Sequence, residues 1–126
     1  NQNIVQVKTD TYLSIRNKKN EWIFNADNVI ESSKMYKLNS TKAESISIYG
    51  TDIEKDSISL SVSKEAKYGW NWIGFPVSTT LPIDEAFVNA QPIKDEVVKG
   101  QDGFAMYYPG IGWVGTLTKL ETGKGY

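Results

Sequence analysis

Ser57-Ile58-Ser59-Leu60-Ser61-Val62-Ser63 alternates polar and apolar residues for seven positions. Successive side chains of a strand point to opposite faces, so this spacing predicts a β-strand with one buried and one wet face. Ser45-Ile46-Ser47-Ile48 repeats the pattern. Shorter runs read the same way at Ile4 to Val7, Tyr12 to Ile15, Glu21 to Phe24 and Met35 to Leu38. In the second half they recur at Trp70 to Phe75, Glu96 to Lys99, Phe104 to Tyr108 and Trp113 to Thr118. Composition agrees: Val, Ile and Thr number 9, 12 and 9, against 6 Leu and 6 Ala. β-Branched side chains are stiff at χ1 and fit a pleated surface, whereas Leu and Ala favour helix.

One segment reads as helix, near residues 81–90. Ser78-Thr79-Thr80 supplies capping hydroxyls, and Pro82 suits a first turn where no amide donor is needed. Asp84 and Glu85 fall near the positive end of the helix dipole. Ile83, Ala86, Phe87 and Ala90 share one side at helical spacing, and Pro92 ends the run. The expected fold is therefore mainly β: an antiparallel, sandwich-like module of two β halves with one short helix.

All ten Gly and all four Pro lie from position 50 onward. The first half turns on Asn, Asp, Lys and Ser instead, as at Arg16 to Asn20, Asn25 to Asn28 and Ser32-Ser33. Residues 1–126 read as one β-rich unit of a size that buries a core without metal or disulfide. An internal echo is present. Trp22 and Trp113 lie 91 apart, Asp10 and Asp102 92, and Tyr36 and Tyr126 90. Allowing slips in turns, Asp10-Thr11-Tyr12-Leu13, Trp22-Ile23, Val29 and Tyr36 align with Asp102-Gly103-Phe104-Ala105, Trp113-Val114, Leu120 and Tyr126. Coincidence in an aromatic-rich β protein is the competing reading.

Chemistry is bounded by what is absent. With no His and no Cys, a Ser–His–Asp triad, a Cys–His pair, a thiol couple and an ordinary zinc site are all impossible. Fourteen basic residues face fifteen acidic ones, which does not suit a nucleic-acid binder. No apolar run is long enough to span a bilayer. The acidic groups Asp84/Glu85, Asp95/Glu96 and Asp52/Glu54/Asp56 do not predict two carboxylates converging across a cleft. The last also lacks the loop frame of a calcium site. No enzyme activity, cofactor or metal is expected.

A denser pattern fills the second half: Gly69-Trp70-Asn71-Trp72-Ile73-Gly74-Phe75-Pro76, the helix, Asp95 through Gly103-Phe104-Ala105, Gly112-Trp113-Val114-Gly115-Thr116-Leu117, and Leu120-Glu121-Thr122-Gly123-Lys124-Gly125-Tyr126. It resembles a module repeated in exported and cell-surface proteins of the Bacteroides group, with Thr122 where that module usually has Pro. The resemblance implies that 1–68 is the later part of one repeat and 69–126 the early part of the next. It also implies a piece of a longer protein with a strand after Tyr126, which fits a chain that opens on Asn1 without a leader. It further implies secretion or surface display, and neighbouring modules of the parent protein as partners.

The expected function is a non-catalytic structural or adhesion module. The alternative is a carbohydrate-binding module. Its candidate stacking rings are Trp22, Trp113, Tyr107 and Tyr108, and it requires at least two coplanar exposed rings. A glycan, or a host or cell-surface protein, is the corresponding ligand; neither nucleic acid nor membrane insertion is expected. Gly69, Trp70, Trp72, Gly112, Gly123, Gly125 and Tyr126 are read as structural motif residues. Trp70 and Trp72, two apart on one strand, are expected to share a face; one or both are read as core, sealing the helix onto the sheet, with a sugar platform of adjacent indoles as the competing reading.

Overall fold

The computed structural model describes residues 3–23, 30–51, 53 and 69–126. The chain is mainly β; the described residues form three antiparallel sheets and one short helix. β1 (Ile4–Lys8), β2 (Leu13–Arg16), β3 (Trp22–Ile23) and β4 (Lys37–Ser40) form a four-stranded sheet in the order β3-β2-β1-β4. Polar side chains make its turns, as expected of a glycine-free half. Thr9 Oγ1 accepts the Thr11 and Tyr12 amides at 3.2 and 3.1 Å. Asn17 Oδ1 accepts those of Lys19 and Glu21 at 2.9 and 3.0 Å. Such side chains replace the backbone bonds that a tight turn leaves unmade.

In the second half, β5 (Leu81–Pro82) runs into α1 (Ile83–Ala86) and pairs with β9 (Lys119–Leu120). Between them β6 (Val97–Lys99), β7 (Phe104–Tyr108) and β8 (Gly112–Gly115) make a meander. The core cluster is Phe75, Val77, Leu120 and Tyr126, with Leu81, Ala86, Phe87, Val98 and Leu117 packed against it.

Three expectations need correction. The helix is a single turn, not the whole of 81–90. Pro82 is its N-cap and no side chain caps it, so the hydroxyls of residues 78–80 do not serve that role. The Ile83 amide instead donates to the Thr118 carbonyl at 3.0 Å. Ile83 is buried and Phe87 half-buried, while Val88 and Ala90 are exposed; the apolar stripe has nothing to lie on past Phe87. Trp70 to Phe75 is not a strand throughout, because bridging begins only at Ile73. Trp70 is therefore half exposed, at 51%, and does not seal the core. Ser45 to Ile48 forms no strand, and Ile46 and Ile48 stay exposed. The Ser57 to Ser63 run and the Asp52/Glu54/Asp56 group lie outside the described residues, apart from Ile53 between the acids.

The two meanders share one register. The cross-strand pairs Gln6–Ile15, Val7–Ser14 and Lys8–Leu13 correspond to Val97–Met106, Val98–Ala105 and Lys99–Phe104, each 91 residues on. Ile15–Ile23 and Arg16–Trp22 correspond likewise to Met106–Val114 and Tyr107–Trp113. The turn bond from the Thr9 amide to the Tyr12 carbonyl, 2.9 Å, recurs from Gly100 to Gly103 at 2.8 Å. Tyr12 thus matches Gly103 and Leu13 matches Phe104. The alignment of Asp10-Thr11-Tyr12 with Asp102-Gly103-Phe104 is one residue out of step.

Candidate functional site

After each meander the chain closes a small loop of the form Glu-x-x-Lys-x-Tyr. In Glu31–Tyr36 the Lys34 amide donates to the Glu31 carbonyl at 3.2 Å, and the Glu31 amide donates to the Tyr36 hydroxyl at 2.9 Å. In Glu121–Tyr126 the same two bonds, Lys124 to Glu121 and Glu121 to Tyr126, measure 3.2 and 2.9 Å. Each lysine also pairs with its glutamate, Lys34–Glu31 at 2.9 Å and Lys124–Glu121 at 2.5 Å. We call these loops the N-terminal and C-terminal clasps. In each loop the tyrosine hydroxyl satisfies an amide at the entrance; the Tyr126 ring lies in the core, whereas the half-buried Tyr36 ring sits 6.4 Å from that of Tyr12.

The segment Ile73–Phe75 lies between the clasps. On one side the Gly74 amide donates to the Ser33 carbonyl at 2.9 Å. On the other, Ile73 and Tyr126 exchange two bonds of 2.8 Å, and the Phe75 amide donates to the Lys124 carbonyl at 3.1 Å. Two glycines make this approach possible. A Cβ on Gly74 would stand 2.5 Å from the Lys34 carbonyl oxygen and 2.8 Å from that of Ser32. A Cβ on Gly125 would overlap the Met35 side chain. Trp72, half-buried, adds to the junction: the ammonium groups of Lys8 and Lys37 lie 5.7 and 4.3 Å from its ring centre.

The stacking candidates do not form one platform. Trp22 is half-buried on β3 with the Arg16 guanidinium 5.2 Å from its ring. Trp113 belongs to a different sheet and sits between Phe87 (5.6 Å, 46°) and Tyr107 (5.4 Å, 62°). Trp113 and Tyr107 therefore meet edge to face rather than coplanar, as partners in packing. Tyr108 points to the other face of β7 and is exposed at 37%. Gly69 and Gly123 hold φ of 70° and 75° with open space at the missing Cβ. Gly112, φ 101°, leaves room for the Asp84 carboxylate.

A shallow hollow of about 150 Å³ opens between the Gly100–Gly103 turn, residues 116–119 and the C-terminal clasp. Its charges are mutually satisfied: Glu121 takes Lys119 at 2.8 Å and Lys124 at 2.5 Å, and Asp102 lies 3.8 Å from Lys124. Hydrogen bonds from Lys119 and Lys124 hold the Glu121 carboxyl down at about 2, so it stays ionised and is unsuited to donate a proton near neutrality. Among the described residues no three acidic side chains are grouped to hold a metal ion, and no helix is long and apolar enough to cross a membrane.

Comparison with protein-family models, with curated proteins and with solved structures finds no match.

The clasps were partly visible in the sequence, where Tyr36 and Tyr126 were paired by spacing. The glutamate that opens each loop lies outside that spacing match. Glu-x-x-Lys-x-Tyr at 31–36 and 121–126 was the signal that would have found it.

Proposed function

We propose that this chain is a non-catalytic structural or adhesion module of an exported, surface-associated protein, built from tandem units of about 90 residues. One observation carries the reading: Ile73–Phe75 is hydrogen-bonded on both sides, by the clasp of one unit and the clasp of the next. A strand shared in this way couples neighbouring units as a sheet interior does, rather than through a flexible linker. The resemblance of residues 69–126 to a repeated surface module supports the exported setting.

The test is cooperativity. With the other tryptophans replaced by Phe, Trp22 alone reports the first sheet and Trp113 alone the third. Coincident thermal transitions from the two reporters are expected, and transitions separated by more than about 5 °C would remove the coupled-unit reading. A glycan array with tryptophan fluorescence titration separates the alternative. Flat titrations are expected, and saturable binding lost in Trp22→Ala or Trp113→Ala would favour carbohydrate recognition instead.

A further inference from the structure

The two meanders share a register but not a number of neighbours. β1 lies between β2 and β4, whereas its counterpart β6, 91 residues on, has β7 alone beside it among the described residues. Two bonds flanking β6 fix which way its backbone faces. The Tyr107 amide donates to the Glu96 carbonyl and the Gly100 amide to the Gly103 carbonyl, so antiparallel alternation turns Val98 to Ala105. The amides and carbonyls of Val97 and Lys99 then face away from β7. They have no hydrogen-bond partner among the described residues. In β1 the matching residues are Gln6 and Lys8, and there β4 covers the edge with the pairs Gln6–Asn39 and Lys8–Lys37.

We infer that the outer edge of β6 is a strand-accepting site for an extended segment joined directly to Tyr126, as β4 is joined directly to Tyr36. The molecule contains the occupied form of this site in β1 and β4, and that pair sets the register. The first residue of the segment lies opposite Lys99 and the third opposite Val97. Tyr126 is placed to deliver it. A Cβ on Gly100, the residue after β6, would stand 3.2 Å from Cε1 of the Tyr126 ring. The Tyr36 ring likewise lies by its own meander's turn, 6.4 Å from Tyr12, and Lys37 then pairs with Lys8. A three-residue edge carrying a lysine is one that folded chains can leave bare. Yet Lys8 stands at the place of Lys99 in β1, and β4 covers that edge all the same. Main-chain bonds to an open edge supply the affinity of such a site.

The inference deepens the tandem-unit reading and rests on it. Its test appends a copy of residues 37–41 directly to Tyr126 of the full chain. In the unextended chain the Val97 and Lys99 amides are expected to exchange with solvent much faster than that of Val98. The appended copy is expected to protect both and to raise Tm by roughly 3 °C or more. Asn39→Ala within the copy keeps the amide that faces Val97 and should retain the protection. Asn39→Pro within the copy removes that amide and should abolish most of it. Three results would overturn the proposal: no added protection, protection that survives Asn39→Pro, or protection already present in the unextended chain. If that last protection rises with protein concentration, the occupant is a second copy of the chain instead. Coincidence of the Trp22 and Trp113 transitions is read in the unextended chain, so the two readings fail separately.

Discussion

The hydroxyl of Tyr126 accepts the backbone amide of Glu121, five residues earlier, at 2.9 Å, and the ring below that hydroxyl lies in the core. Tyr126→Phe keeps the ring and strands a partly buried amide. A cost of about 1–2 kcal/mol is expected from urea unfolding. Tyr36→Phe breaks the matching bond to Glu31 in an exposed setting, where water replaces the lost acceptor, and should cost about half as much or less.

Gly74 and Gly125 predict a contrast in repairability. The Cβ of Gly74→Ala would meet two backbone carbonyl oxygens, which cannot move without opening the junction, so a loss of about 2 kcal/mol or more is expected. The nearest atoms that the Cβ of Gly125→Ala would meet all belong to the Met35 side chain. Adding Met35→Ala should therefore recover much of the Gly125→Ala loss and none of the Gly74→Ala loss, as a double-mutant cycle in urea would read directly.

Burial separates Leu120 from Ile30. Leu120→Ala opens a cavity in the main core and should cost about 2–4 kcal/mol by equilibrium unfolding. Ile30→Ala removes an exposed side chain and should stay within about 0.5 kcal/mol.

The pH dependence follows from Glu121. Its carboxyl is depressed from the ordinary 4.5 to about 2 by Lys119 and Lys124, so the charged form is favoured in the folded chain. The resulting stabilisation is fully present above 4.5 and is lost as pH falls through about 2. Wild type should melt above Glu121→Gln at pH 7, with the gap closing between pH 4.5 and 2. Because these groups are solvent-accessible, 1 M salt should also narrow the gap at pH 7.

The sequence disclosed the strands that make their own ladders. Alternation marks Phe104–Tyr108 with its observed bounds, and β1 and β2 to within a residue, because alternation and side-chain turn formers act locally. It misled where tertiary contacts decide. The stripe Ile83, Ala86, Phe87 and Ala90 is helical in spacing, yet the helix ends at Phe87, which meets Trp113, and Ala90 is exposed. The Asp-x-aromatic echo at Asp10 and Asp102 drew the alignment one residue off, because the acid sits at different places in two turns of equal length. The clasps bring together residues 40 to 90 positions apart, and no local periodicity encodes that meeting.

Ile73-Gly74-Phe75 is the sort of uncharged, glycine-softened run that would otherwise recruit foreign chains into mixed sheets. Flanked by Ser33 on one side and by Lys124 and Tyr126 on the other, it has both margins filled from within. The join that unites the halves therefore also protects against aggregation, and loosening it would expose a sticky strand as well as weaken the protein.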